Sequence, residues 1–191
     1  MSDARPAHSV IEAVLFVEAT PCPSCGRGPV ALRSVTPLVG GEASGTIAVG
    51  AGCGACGAST EYRFAVSASP GQDAGGVPDD WTRINPTEDP SRILDVGQWL
   101  MLFRLFEERR ADEPGKIAAR LLGLKAAACL DEALKFHDDP ENDLPPASAI
   151  FTESTRHHFL EAPEHFSRRR LVELRARLPT SAGGRSKKAG P

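Results

Sequence analysis

With 191 residues, 41% of them hydrophobic and 25% charged, the chain has globular composition; a disordered polymer and a bundle of membrane spans are excluded, and one ordinary domain or two small ones fit the length. The net charge of -3 conceals an uneven layout, since residues 1–78 carry 4 basic and 6 acidic side chains, residues 79–143 carry 9 and 15, and residues 144–191 carry 9 and 4. An acidic middle and a basic end suit either docking of one on the other or a basic surface for an anionic partner.

The apolar stretch Val10 to Val17 is broken by Glu12 and lacks a basic leader and a small-residue cleavage site, so no secretory signal is expected. No run of about 18 apolar residues marks a membrane span. A cytoplasmic chain without a membrane partner is therefore expected, and in that reducing compartment paired cysteines serve as metal ligands or catalysts rather than as structural disulfides.

In chain order, residues 9–18 (SVIEAVLFVE) are rich in β-branched side chains and predict a strand. A first Cys-x-x-Cys pair follows at Cys22 and Cys25. Val30, Leu32 and Val35 predict a second extended segment, the glycines of VGGEASG a turn, and Thr46 to Ala51 a returning strand that ends in a second pair, Cys53 and Cys56. Tyr62, Phe64 and Val66 alternate with Glu61, Arg63 and Ala65 as a half-buried strand does. The 27 residues between Cys25 and Cys53 are about what a hairpin needs to bring one pair opposite the other, and Gly26 and Gly57 suit the positive φ that ends such turns.

CPSCG at 22–26 and CGACG at 53–57, on a β-rich frame, resemble the zinc-ribbon family. The resemblance covers about a third of the chain and implies Cys22, Cys25, Cys53 and Cys56 as the four ligands of a structural Zn2+. The knuckles specify metal rather than activity, because ribbons occur in transcription, in translation and as props inside enzymes. Other uses of these cysteines remain open at this point. A rubredoxin-type iron site shares the knuckles, although residues 20–60 hold few charges and no aromatic residue. Thioredoxin chemistry uses one pair at a helix start, not two joined by a hairpin, and four thiols without metal are the third alternative.

Residues 68–88, dense in Gly, Pro and Asp, predict a linker between a ribbon domain at 9–67 and a helical domain at 89–178. Asp89 and Pro90 form a helix-start signal for a helix at 91–110. Further helices are predicted at about 115–137, 147–160 and 164–178, and residues 179–191 predict a disordered tail. On the second helix, Ile117, Leu121, Leu124 and Ala128 make one apolar stripe and Ala118, Leu122, Cys129, Ala133 and Phe136 its neighbour. The expected fold class is α+β: an N-terminal antiparallel ribbon, then about four helices.

Several residues outside the knuckles invite a chemical reading. Cys129 lies alone on a buried stripe and reads as a small core residue. His157, His158 and His165 with Glu161 and Glu164 suggest an acid–base or metal site, although adjacent helical residues point about 100° apart. Arg168, Arg169, Arg170 and Arg175 surround a helix whose Leu171, Leu174 and Leu178 face inward, so they either contact phosphates or pair with the acidic segments. With no phosphate loop and no evident nucleophile, the sequence reads as a non-catalytic, zinc-braced module for a protein partner. A nucleic-acid-binding regulator is the alternative, followed by an enzyme built on the histidines or a rubredoxin-like electron carrier.

Overall fold

The computed structural model describes residues 4–28, 30–40, 45–67, 84–139 and 141–180. Among these, a four-stranded sheet is combined with five α-helices, a mixed α+β architecture. Strand β1 is Arg5–Ala7, β2 Ala31–Gly40, β3 Gly45–Gly52 and β4 Ser59–Val66, in the spatial order β1-β4-β3-β2. The β2–β3 and β3–β4 pairs are antiparallel, as the hairpin pattern predicts, and β1 adds a short parallel edge that the sequence did not announce. Phe64 and Val66 point into the core while Glu61, Arg63 and Ala65 face water, so the alternation in β4 is the one expected.

The largest departure from expectation is α1, Val10–Ala19, a helix where β-branched composition predicts a strand. Two physical causes override propensity. Ser9 caps the helix by accepting from the Glu12 amide at 3.0 Å, and the Glu12 carboxylate reaches back to the His8 amide; Ser-x-x-Glu is a helix-start signature that was present in the sequence. Nine of the ten residues are then buried, so the segment is apolar on every side, as a central helix is when it has neighbours all round. Phe16 packs edge-on against Tyr62 and Phe64 of β4, with ring centroids 5.9 and 5.6 Å apart, and the Arg5 guanidinium lies 4.7 Å over its face.

The remaining helices are α2 (Val96–Asp112), α3 (Lys116–Leu134), α4 (Glu153–Glu161) and α5 (Arg168–Ala176), the last two preceded by 3-10 turns at Ala147–Ala149 and Pro163–Phe166. Helix α2 begins five residues later than a start at 91 because Asp95 and Gln98 form a reciprocal capping box. The Asp89-Pro90 signal is instead followed by a turn in which the Ser91 hydroxyl accepts from the amides of Ile93 and Leu94. Trp99, Leu102 and Phe106 of α2 meet the alanine-rich face of α3, where Ala126, Ala127, Cys129, Leu130 and Ala133 are buried. The other expected stripe of α3 is corrected: Ile117 is 80% exposed and Leu121 54%.

One cluster of buried apolar side chains runs from Ala7 through α1 and the sheet to Leu178, so the β and α parts share a core through α1. Most of the expected linker (68–83), the expected turn at 41–44 and the tail from 181 onward lie outside the described residues. The end of the linker is not free chain: Ile84 and Asn85 are buried, and the Ile84 carbonyl accepts from the Ser9 hydroxyl.

Candidate metal centre

Each cysteine pair sits on a turn built by the same backbone pattern. The Gly26 amide donates to the Cys22 carbonyl at 2.8 Å and the Cys22 amide to the Arg27 carbonyl at 2.7 Å. In the second knuckle the Gly57 amide donates to the Cys53 carbonyl at 2.9 Å and the Cys53 amide to the Ala58 carbonyl at 2.8 Å. Both turns close through the left-handed region, φ 68° at Gly26 and 75° at Gly57, where a side chain would be strained. The β2–β3 register, with Ala31 opposite Gly52, then sets the two knuckles side by side.

The four thiol sulfurs lie within 4.8 Å of one another. Cys22 and Cys56 approach to 3.7 Å, and so do Cys25 and Cys53. A divalent ion bound tetrahedrally by thiolates at about 2.3 Å separates its sulfurs by about 3.8 Å, so these residues fit such an ion. Each knuckle contributes one buried sulfur-bearing residue, Cys22 and Cys53, and one exposed residue, Cys25 and Cys56. The cluster therefore lies at the edge of the core, with one side open to solvent.

Electrostatics supports the same reading. Backbone amides of Cys56 and Ala55 point at the Cys53 sulfur and lower its pKa to about 6. The Ser24 amide lowers Cys22 in the same way. At Cys25 the Arg27 amide also favours the thiolate, but desolvation and the other three sulfurs outweigh it and push the thiol up to about 12. Four sulfurs at this spacing cannot all ionise side by side without a cation, whereas the amides are already aimed to hold negative charge.

The other expected residues are placed as follows. Cys129 is fully buried in α3, and burial, reinforced by Glu132, raises its thiol well above the ordinary range. His158 and His165 come together, Nε2 to Nδ1 at 3.3 Å, while His157 turns outward to Glu161 at 3.3 Å, so the trio does not converge. Arg175 pairs with Asp131 of α3 at 2.8 Å. Arg168, Arg169 and Arg170 are exposed at the start of α5, with the Arg168 and Arg169 amides held by Asp143. No described helix is long and apolar enough to cross a membrane.

Comparison with family models, with curated proteins and with solved structures finds no match to this chain. The metal-ligating geometry therefore stands on the residues themselves.

Proposed function

We propose that the chain is a non-catalytic zinc-binding protein, in which a structural Zn2+ braces a ribbon formed by β2, β3 and the two knuckles, and in which the helical layer engages a partner protein. The observation that carries the metal reading is the set of four cysteine sulfurs at tetrahedral spacing. Four thiolates fill the coordination sphere and leave no position for a reacting water, which is the arrangement of structural rather than catalytic zinc. The stabilisation is large on the scale of folding: zinc-finger peptides gain an apparent ~10–16 kcal/mol from the metal, against a net stability of about 5–15 kcal/mol for a whole domain.

The partner reading rests on α3. Ile117 and Leu121, one helical turn apart, are held in solvent while the opposite face of the helix is packed. A pair of large aliphatic side chains one turn apart on a well-packed helix suits an apolar contact with another protein.

Metal analysis of the purified chain should give one zinc per molecule, and a strong chelator should abolish the sheet signal by circular dichroism. A metal-free chain that keeps its fold would remove the structural role, and a red protein would assign iron. Affinity capture with the parent chain and with an Ile117→Asp/Leu121→Asp variant tests the partner face; identical recovered sets would remove it.

A further inference from the structure

Between the first knuckle, the start of α2 and the start of α4 lies a cavity of about 290 Å³. Ala19, Pro21, Leu100, Met101 and Phe166 form its apolar wall, and Gln98, Arg104, Ser154 and His158 bring polar atoms to it. A second hollow of about 360 Å³ shares Ala19, Pro21, Met101 and Arg104 and continues along Leu105 to Gly28. The volumes are those of pockets that hold small organic ligands.

The cavity lining carries one permanent cation, Arg104, and no carboxylate. Arg104 takes part in none of the ion pairs among the described residues. The acidic groups nearby do not answer it: Glu18 faces Arg109 at 4.0 Å, and Glu108, though one turn from Arg104 and lining the second hollow, makes no pair with it. Asp95, at the two helix starts, is already saturated by four donors, the amides of Gln98 and Thr152 and the hydroxyls of Thr152 and Thr155. On the other side His158 Nε2 meets His165 Nδ1 at 3.3 Å. A guanidinium outside any ion pair among the described residues, an imidazole and a hydroxyl lining one largely apolar cavity offer a receptor for an oxyanion, to which Arg presents a planar fork of donors.

We propose that this cavity binds a small organic anion, a carboxylate or phosphate monoester on an apolar body, with its head at Arg104, Ser154 and His158 and its body against Pro21, Met101 and Phe166. The ligand is distinct from both the metal and the partner protein. Because Pro21 precedes Cys22, the knuckle supplies one wall of the site.

The test uses the zinc-loaded full chain, labelled with nitrogen-15 and titrated with benzoate, phenyl phosphate, benzyl alcohol and inorganic phosphate. Saturable shifts are expected at the amides of Ala19, Met101 and Ser154 with benzoate or phenyl phosphate, and the tighter of the two assigns the head group. Benzyl alcohol, which lacks the charge, and inorganic phosphate, which lacks the apolar body, should each bind at least about tenfold more weakly, a difference of about 1.4 kcal/mol. Arg104→Gln, at an exposed position, and His158→Gln should weaken the organic anion by a similar factor, while Arg63→Gln on β4 should leave it unchanged. Equal binding of benzyl alcohol, equal binding by Arg104→Gln, or no shift with either organic anion would each overturn the proposal. Zinc content is measured on every sample, so failure of the metal reading is seen separately from failure of the anion site.

Discussion

Asp95 is the hinge pin between the starts of α2 and α4, and its removal makes a quantitative prediction. Its Oδ1 accepts from the Gln98 amide at 2.9 Å and the Thr155 hydroxyl at 2.7 Å; its Oδ2 accepts from the Thr152 amide at 2.9 Å and the Thr152 hydroxyl at 2.6 Å. In Asp95→Ala the two threonine hydroxyls can turn to each other, since they already lie 2.9 Å apart. The two amides have no such option. Each of these half-buried donors left without a partner costs about 1–3 kcal/mol, which includes the cap of α2, itself worth about 1 kcal/mol. For the two amides the sum is about 2–6 kcal/mol, and for a chain of this size its midpoint lowers Tm by roughly 10 °C. Asp95→Asn keeps one acceptor oxygen and should fall between the parent and the alanine variant. Urea denaturation of the purified proteins at matched metal content, followed by far-ultraviolet circular dichroism, measures both differences. An Asp95→Ala protein within about 1 kcal/mol of the parent would refute the claim that one carboxylate holds both helix starts.

Three further outcomes follow from other contacts. A Cβ at Gly97 would stand 2.8 Å from Thr155 Cβ, so Gly97→Ala should force α2 and α4 apart and cost about 1–3 kcal/mol despite the better helix propensity of alanine; a stabilised variant would refute the close crossing. Burial, only partly offset by Lys135 and increased by Glu12, raises Glu132 from 4.5 to about 7. A raised acid is stabilising when protonated, so its contribution is complete below pH 4.5 and is lost as pH rises through about 7. Relative to Glu132→Gln, the parent should therefore lose about 3 kcal/mol over that window, and parallel stability–pH curves would refute it. Mixed-sequence DNA at about 50 mM salt should show no binding, because Arg175 is committed to Asp131 and the basic cluster left on α5 is the single turn Arg168, Arg169 and Arg170; an affinity falling steeply with salt, and lost on combined substitution of these three by Gln, would favour the nucleic-acid reading.

What the sequence disclosed depended on how local the physics was. The knuckles were legible because two residues between thiols and a glycine after them constrain a turn almost by themselves, and the hairpin strands and the α2 and α3 helices followed from periodicity. Helix α1 was misjudged because its composition favours strand while its tertiary surroundings favour helix; the Ser9 and Glu12 cap was visible, but nothing in the sequence said that partners on every side would bury the segment. The two stripes on α3 were likewise indistinguishable until α2 selected the smaller, alanine-bearing one. The Arg104 cavity was hidden for a different reason: Ser154 and His158 lie one turn apart on α4, but Arg104 comes from α2, and nothing local in the sequence says that the two helices meet there.

The misjudged helix also explains how the metal centre and the cavity belong to one device. Helix α1 ends at Ala19, Thr20 caps it by donating to the Phe16 carbonyl at 2.6 Å, and the chain enters the first knuckle after one further residue. Glu18, Ala19, Thr20 and Pro21, which join the helix to the thiolates, all line the hollows beside α2. An ion held by the four cysteines would fix the end of α1, and with it the wall that faces Met101 and Arg104. The cysteines that could hold an ion and the residues that line the cavity thus share a short stretch of backbone, so removal of an ion bound there is expected to alter the cavity wall, which the amide shifts of Ala19 would report.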